Sequence, residues 1–545
     1  MKNFKDKVVY QIYPKSFSDT NGDGVGDIRG IIEKIDYLSL LGVDYLWVTP
    51  FFVSPLKDNG YDVQDYYNID PSFGMMSDLE ELIQKAESKN IGIMLDMVFN
   101  HTSTDHEWFR KALAGDKKYK DYYIFKKGKP NSEPPTNWVS KFGGSTWEYV
   151  EELDEYYLHL FDVSQADLNW RNEDVRKECV SILNFWINKG IKGFRFDVIN
   201  LISKPENYDD DYVGDGRRFY TDGPDVVNYL QYMNQEAFGG KDILTVGEMS
   251  STTLEKCEDY SGKNQNTLSM TFNFHHLKVD YVDGEKWSSD GFEMKDLRQI
   301  MNEWQVGMDS GWSALFLNCH DQPRSVSRFG NDVEYHNESA KLLATLVHMQ
   351  RGTPYIYQGE EIGMTNADFN DISQYRDVES LNAFKNLNNR GFNDKEVIEI
   401  LKSKSRDNAR TPMQWDRKGG FTSAQEPWIE INPNTREINA ENEITDPNSV
   451  FNFYRKLIKL RKSKMCISEG AFIPMFENNE YLYAFKRVYE SEEVIVLLNF
   501  GGQNLDFEIS ELNHYKLLLG NYGKPIINDT RISFRPYESI ILEKC

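Results

Sequence analysis

Gly193-Phe-Arg-Phe-Asp-Val-Ile-Asn200 is the stretch from which the fold can be read. Its apolar positions predict a short buried strand that delivers Asp197 at its exit. An acid placed there is desolvated enough to have its pKa tuned, yet still open to a substrate. Arg195 lies two residues earlier, and alternate strand residues share a face, so guanidinium and carboxylate point the same way. Such a neighbour keeps Asp197 ionised at neutral pH, as a nucleophile requires. The same pattern recurs in Ile243-Leu-Thr-Val-Gly-Glu248 and in Leu315-Phe-Leu-Asn-Cys-His-Asp321. Glu248 has no base beside it in sequence and reads as the acid with the raised pKa. One such acid alone is more often half of an ion pair or a helix cap. Three in the same setting point to chemistry. Two carboxyl groups held across one bond are what glycoside hydrolysis needs, one to attack or activate water and one to donate a proton.

Outward from this stretch, short apolar runs alternate with amphipathic helical patterns, the sign of a parallel sheet with crossover helices. Eight strands are expected, at Val8–Tyr13, Tyr45–Val48, Gly92–Val98, Phe194–Phe196, Ile243–Val246, Leu268–Phe274, Ala314–Leu317 and Pro354–Tyr357. Helical patterns such as Ile31–Leu41 and Leu79–Ala86 lie between them. Eight strand–helix units predict a (β/α)₈ TIM barrel, whose active site belongs at the C-terminal strand ends, where the three acids fall. The stretch from His101 to Trp170 is too long for a simple connection, and loops of that length are usually functional. It reads as an inserted lid subdomain after the third strand. Beyond Ser468 the pattern turns to alternation, as in Tyr481–Val488 and Glu493–Phe500, which predicts a closing antiparallel β-sandwich. The expected division is a catalytic barrel over 1–101 and 171–467, a lid over 102–170 and a C-terminal β-domain over 468–545.

The 545 residues carry 62 Lys plus Arg against 86 Asp plus Glu, a net charge of −24. No overall positive field exists to attract phosphate backbones, which argues against nucleic acid as a partner. The five cysteines are scattered with no CxxC pair, as in a reduced, intracellular protein. The N-terminus lacks an apolar signal core, and no long uncharged apolar run follows. A soluble cytoplasmic protein is expected, with no membrane partner.

Asp96-Met-Val-Phe-Asn-His101 ends the third strand, and His101 there could orient a sugar hydroxyl. In Asp19-Thr-Asn-Gly-Asp-Gly-Val-Gly-Asp27, oxygen ligands stand at alternate positions: Asp19, Asn21, Asp23, the Val25 carbonyl and Asp27. Glycines allow the tight turn. This is like the first part of a calcium loop without the distant bidentate Glu, and so many hard oxygens repel one another unless a cation joins them. A structural Ca²⁺ is expected, with Mg²⁺ the alternative.

Taken together, Asp96 to His101, Gln165-Ala-Asp-Leu-Asn169, Gly193 to Asp197, Glu248 and His320-Asp321 resemble the α-amylase family of glycoside hydrolases, from the first strand to the C-terminal β-domain. The resemblance implies that Asp197 is the nucleophile, Glu248 the acid/base, and Asp321 the carboxylate that grips the sugar hydroxyls. It implies that Asp58, Tyr61, His101, Arg195, His320 and Arg406 line the pocket for the terminal glucose. Asp58 and Arg406 would block the pocket beyond that sugar and make the enzyme exo-acting. Gln165–Asn169 and Val198 resemble the oligo-1,6-glucosidase group, which implies isomaltose-type α-1,6-glucosides as one substrate class. Val246–Thr253, Phe272–Asp280 with Gly284–Trp287, and Asp215–Pro224 are more similar to members that act on trehalose 6-phosphate. That similarity implies a phosphate-binding rim, expected at Lys278 and Lys286 with His275 and His276, since Lys binds phosphate as a point charge. One departure is Cys319, where related chains usually carry Asn before the His-Asp pair. The expected reaction is hydrolysis by water with no redox cofactor, and with a small sugar phosphate as the bound partner.

Overall fold

A computed structural model describes residues 4–288, 291–509, 512–528 and 530–545. Eight parallel strands form one sheet: β1 (Val9–Ile12), β2 (Tyr45–Val48), β3 (Gly92–Val98), β4 (Gly193–Asp197), β5 (Leu244–Glu248), β6 (Met270–Phe272), β7 (Ala314–Leu315) and β8 (Thr353–Tyr357). Their order is β6-β5-β4-β3-β2-β1-β8-β7. A parallel bridge between Thr271 and Ser313 joins the two edges and closes the barrel. The strands are buried along nearly their whole length, as parallel strands covered by helices must be.

Two expected strands are shorter than their apolar runs. Only Met270–Phe272 and Ala314–Leu315 pair in register. The remaining aromatics leave the ladder and fill the barrel mouth, where Phe274 meets Phe316 with ring centroids 5.4 Å apart. Residues that plug a barrel end are as apolar as strand residues, so composition cannot separate the two. The expected helix Ile31–Leu41 is two helices, Ile28–Glu33 and Ile35–Leu41. Asp27 caps the first by accepting from Gly30 N, and the Lys34 N–H bonds both Ile31 and Ile32 carbonyls. That tightened last turn leaves the apolar period unbroken, which is why periodicity did not reveal it.

Between β3 and β4 the chain leaves the barrel. His101–Ser103 pairs antiparallel with Gln165–Asp167 and forms a two-stranded stem. Beyond the stem, Phe125–Lys126, Glu155–Leu158 and Trp147–Val150 make a three-stranded antiparallel sheet. Its core of Ile124, Trp138, Trp147, Tyr156, Leu158 and Leu160 is completed from the barrel side by Val198, Leu201 and Tyr220.

The C-terminal part holds a five-stranded antiparallel sheet in the order Ala471–Met475, Leu482–Tyr489, Glu492–Asn499, Ser539–Lys544, Tyr515–Gly520, and a three-stranded sheet of Leu505–Glu508, Arg531–Phe534 and Ile526–Asn528. Leu482, Ala484, Ile495 and Leu497 face the smaller sheet across a shared core with Ile532 and Phe534. Tyr483, Phe485, Val494, Val496 and Leu498 face the other way and join the barrel's core. The larger sheet is therefore buried on both faces, and its central strand reads as continuous apolar sequence rather than alternation. Among the described residues no helix is long and apolar enough to cross a membrane.

Candidate active site

Register places the first two acids side by side. Arg195 pairs with Asp96 across β3–β4 and with Val246 across β4–β5, so Asp197 and Glu248 leave adjacent strands at the same end. Arg195 Nη1 donates to Asp96 Oδ1 and to Asp197 Oδ1, each at 2.7 Å, and Nη2 contacts Glu248 Oε2. No base stands beside Glu248 along the chain, and the guanidinium that reaches it comes across from the adjacent strand, which sequence neighbourhood does not show. Asp96, for which the sequence suggested no role, also accepts from Trp47 Nε1 and Tyr61 OH, both at 3.0 Å. Burial pushes Asp96 up to about 7, with Arg195 pulling it down and Asp197 pushing it up again. Beneath the guanidinium lies an aromatic floor of Trp47, Phe272 and Tyr355. The Arg195 guanidinium carbon sits 5.1 Å from the Trp47 ring, and the Phe272 and Tyr355 rings are 4.5 Å apart.

The residue after Asp197 carries backbone strain. Val198 has φ 35° and ψ 41°, the left-handed region that a β-branched residue avoids. Its side chain is thereby turned into the core of the inserted segment, among Trp138, Leu201 and Tyr220. The nucleophile candidate is thus fixed on one side by β4 and on the other by packing against that segment.

The third acid sits on a turn past β7. Asp321 Oδ1 accepts from Arg406 Nη1 at 3.1 Å and Arg410 Nη2 at 3.0 Å, and its Oδ2 lies 3.2 Å from His320 Nε2. Burial alone would raise Asp321, but His320, Arg406 and Arg410 hold it well below the usual carboxylate range. His320 is sandwiched between Tyr61 and Tyr13, with interplanar angles of 6° and 17°. Gln11 Nε2 donates to its Nδ1 at 2.8 Å, and its Nε2 lies 2.8 Å from the Tyr61 hydroxyl. Burial holds His320 down to about 3, so it is neutral, with its proton on Nε2 facing Tyr61 and Asp321. Cys319 Sγ accepts the Asp321 N–H at 3.4 Å, so the thiol supports the turn from below.

The remaining expected pocket residues close the ring. Arg406 Nη2 lies 4.0 Å from Asp58 Oδ1. Burial pushes Asp58 up to about 7 against the pull of Arg406 and Arg410, and Gln165 Nε2 donates to its Oδ2 at 3.0 Å. His101 Nε2 donates to the Tyr61 carbonyl at 3.1 Å and burial lowers its pKa, so it too is neutral. Asp377, Arg410 and Gln11 went unseen in the sequence. Arg410 follows Arg406 by four residues, a spacing that could have suggested a shared face. Asp377 and Gln11 gave no local signal.

An open cavity of about 220 Å³ adjoins these acids, lined by Glu248, Ser250, Lys278, Lys286, Asp321 and Arg406 among others. Lys278 and Lys286 are therefore on the rim, as expected. His275 and His276 are not. His276 Nε2 bonds the Phe316 carbonyl at 2.7 Å in the core, and His275 packs on Trp304 with centroids 5.0 Å apart. Both belong to a short 3₁₀ turn over His275–Leu277. Lys286 is paired with Glu379 at 2.7 Å. Among the described residues Lys278 has no carboxylate within salt-bridge distance.

The Asp19–Asp27 loop lies apart from the acids. Asp19 Oδ1 accepts from Asn21 N and Gly22 N, its Oδ2 from Gly24 N, Asn21 Oδ1 from Asp23 N, and Asp23 Oδ1 from Val25 N. Gly22 and Gly24 have φ of 78° and 90°, which residues with a Cβ rarely adopt. Asn21 Nδ2 donates to Asp23 Oδ2 at 3.1 Å, and Asp27 Oδ2 accepts from Thr20 N at 2.8 Å. Among the described residues no three acidic, histidine or cysteine side chains converge on one point. The donor set is nonetheless all oxygen, and it suits a hard divalent cation rather than a soft one.

Comparison with known proteins agrees with this geometry. Residues 11–470 match the α-amylase catalytic domain and residues 482–541 match the α-amylase SusG C-terminal domain. The chain is 51% identical to a trehalose-6-phosphate hydrolase of Bacillus subtilis, covering 99% of this chain and 97% of that one. It is 46% identical to an oligo-1,6-glucosidase of Bacillus cereus, covering 99% of each. Its structure superposes on the crystal structure of the trehalose-6-phosphate hydrolase of Bacillus licheniformis with a TM-score of 0.96 at 51% identity, covering 99% of each chain. With three carboxylates gathered at the C-terminal mouth of the barrel and both of its parts matched to the family, the chain belongs to the α-amylase family of glycoside hydrolases.

Proposed function

We propose that the chain is a retaining, exo-acting α-glucosidase that hydrolyses trehalose 6-phosphate to glucose and glucose 6-phosphate. The observation that carries this reading is the cavity beside Glu248, where a chain of net charge −24 presents Lys278 and Lys286 next to the acids. Trehalose-6-phosphate hydrolases stand among the most similar relatives. Asp197 attacks the anomeric carbon while Glu248 gives its proton to the departing oxygen. The glycosyl ester on Asp197 is then hydrolysed by a water that Glu248 deprotonates, so configuration is retained. Asp321, held ionised by Arg406 and Arg410, receives the sugar hydroxyls, and neutral His101 and His320 donate to or accept from them. The Asp58–Arg406 pair stands beyond the terminal glucose and limits attack to chain ends. Residues 102–170 serve as the lid over this pocket.

Asp19, Asn21, Asp23, the Val25 carbonyl and Asp27 would hold one structural Ca²⁺, or Mg²⁺ in its place. The ion would take over the Asn21–Asp23 contact and neutralise three carboxylates, and it has no part in the chemistry. The cytoplasm is the compartment that fits. All five cysteines are free, and the substrate is a sugar phosphate.

The test compares kcat/KM of the purified protein on trehalose 6-phosphate, trehalose and isomaltose, with the anomer first released read by NMR. The expected result is a strong preference for the phosphorylated sugar and initial release of α-glucose. Preference for isomaltose would replace this reading with an oligo-1,6-glucosidase. Initial β-glucose would overturn retention.

A further inference from the structure

Building on the phosphorylated-substrate reading, we propose that Lys141 is a further specificity-determining residue, which reaches from the segment between β3 and β4 and grips the phosphate together with Lys278 and Arg217. Lys141 Nζ donates to Ser250 Oγ at 3.1 Å. Ser250 stands two residues past Glu248 and lines the same cavity as Lys278. The backbone of Lys141 is anchored by its N–H to the Leu160 carbonyl at 2.9 Å. Phe142, the next residue, lies with its ring 5.7 Å from the Arg406 guanidinium carbon. Consecutive side chains thus reach two different residues that line the cavity: Phe142 meets Arg406 and Lys141 meets Ser250.

The charges are distributed unevenly between the two ends. At one end Lys286 is compensated by Glu379, 2.7 Å away. At the other, Lys141, Lys278 and Arg217 repel one another, and the carboxylate among them, Asp215, is bound to Arg217 at 2.8 Å. Burial, then Arg217, with Lys278 adding to it, holds Lys141 down to about 7. Three cations facing one carboxylate are unfavourable in the free protein and favourable around a dianion. Tethering Nζ to a hydroxyl rather than to an acid leaves its other protons available for phosphate oxygens.

The experiment measures kcat and KM of the full-length wild type, Lys141→Met and Lys141→Arg on trehalose 6-phosphate and on an unphosphorylated aryl α-glucoside. In Lys141→Met the ratio of the two kcat/KM values should fall roughly 10- to 100-fold, the worth of one charge-assisted contact. The loss should appear mainly in KM for the phosphorylated sugar, because the contact is remote from the reacting bond. Lys141→Arg should restore most of the ratio, since it keeps the charge. An equal fall on both substrates, or failure of Arg to rescue, would make Lys141 a fastening of the segment and overturn the proposal. A wild-type preference for the phosphorylated sugar that survives Lys141→Met would overturn this proposal alone, whereas a wild type without that preference would remove the substrate reading as well.

Discussion

Arg406 and Arg410 share one carboxylate that the sequence did not bring to notice. Asp377 accepts from Arg406 Nε at 2.9 Å, Arg406 Nη2 at 2.7 Å and Arg410 Nη1 at 3.1 Å, with its side chain fully buried. It therefore aims both guanidiniums at Asp321. Burial alone would raise Asp377, but the two arginines overcome it and hold it down to about 2. Asp377→Asn should cost about 3–5 kcal/mol, because it leaves buried guanidiniums without their counter-ion. The pH dependence follows from the sign of the shift. A carboxyl with a depressed folded pKa stabilises above its ordinary range and loses that stabilisation as pH falls through the folded value. Urea unfolding at several pH values should show a full gap between wild type and variant near neutrality. The gap should narrow below about pH 4, the ordinary carboxylate range. A gap that stays constant down to pH 3 would contradict the assignment. Asp197, Glu248 and Asp321 were legible because each stands at the end of its own apolar run, and Arg195 because it lies two residues before Asp197 on the same strand. Asp377 was not, because its partners lie 29 and 33 residues further along the chain.

At the scale of elements, the loop after β1 holds the oxygen ligands read from the sequence within a net of local hydrogen bonds. A spiral of side-chain-to-backbone bonds runs there from Asp19 to Val25, and Asp27 is also the cap of the helix Ile28–Glu33. If a cation binds the folded loop alone, it adds about 2.7 kcal/mol at a hundredfold excess over its Kd. Chelation should then lower Tm, added Ca²⁺ should restore it, and Asp23→Ala should abolish the response. A melting curve indifferent to both chelator and Ca²⁺ would leave a hydrogen-bonded turn and no metal. Strand existence was legible at this scale and strand length was not. Aromatics such as Phe274 and Phe316 fill the barrel mouth and prolong the apolar runs beyond the ladder.

Across the whole molecule, one apolar core runs from the barrel into the five-stranded C-terminal sheet. A buried arginine fastens the junction: Arg487 Nη1 bonds the Met349 carbonyl at 2.8 Å, while within the barrel Arg461 Nη1 bonds the His348 carbonyl at 3.1 Å. Both groups close the carbonyl end of the helix His336–Met349. Barrel and sheet should therefore unfold together. Phe485, fully buried on the barrel side, should cost about 3–5 kcal/mol when truncated to Ala. Calorimetry should show a single transition moved to lower temperature. An early separate transition for the C-terminal sheet, with the barrel unmoved, would show that the two parts are independent.

The succession of eight strands, the place of Asp197 and Glu248 at strand exits with Asp321 beyond the end of a third, and the oxygen-rich loop were determined by the sequence itself. Period, spacing and residue type are local, and a buried strand that ends in a carboxylate announces itself within a few residues. Tertiary structure alone decided which charges meet. Arg195 serves Glu248 as well as Asp197, His276 turns into the core, and Lys286 faces Glu379 while Lys278 does not. Coulombic and hydrogen-bonding partners are set by distance in space, and a barrel brings together strand ends that are scores of residues apart along the chain.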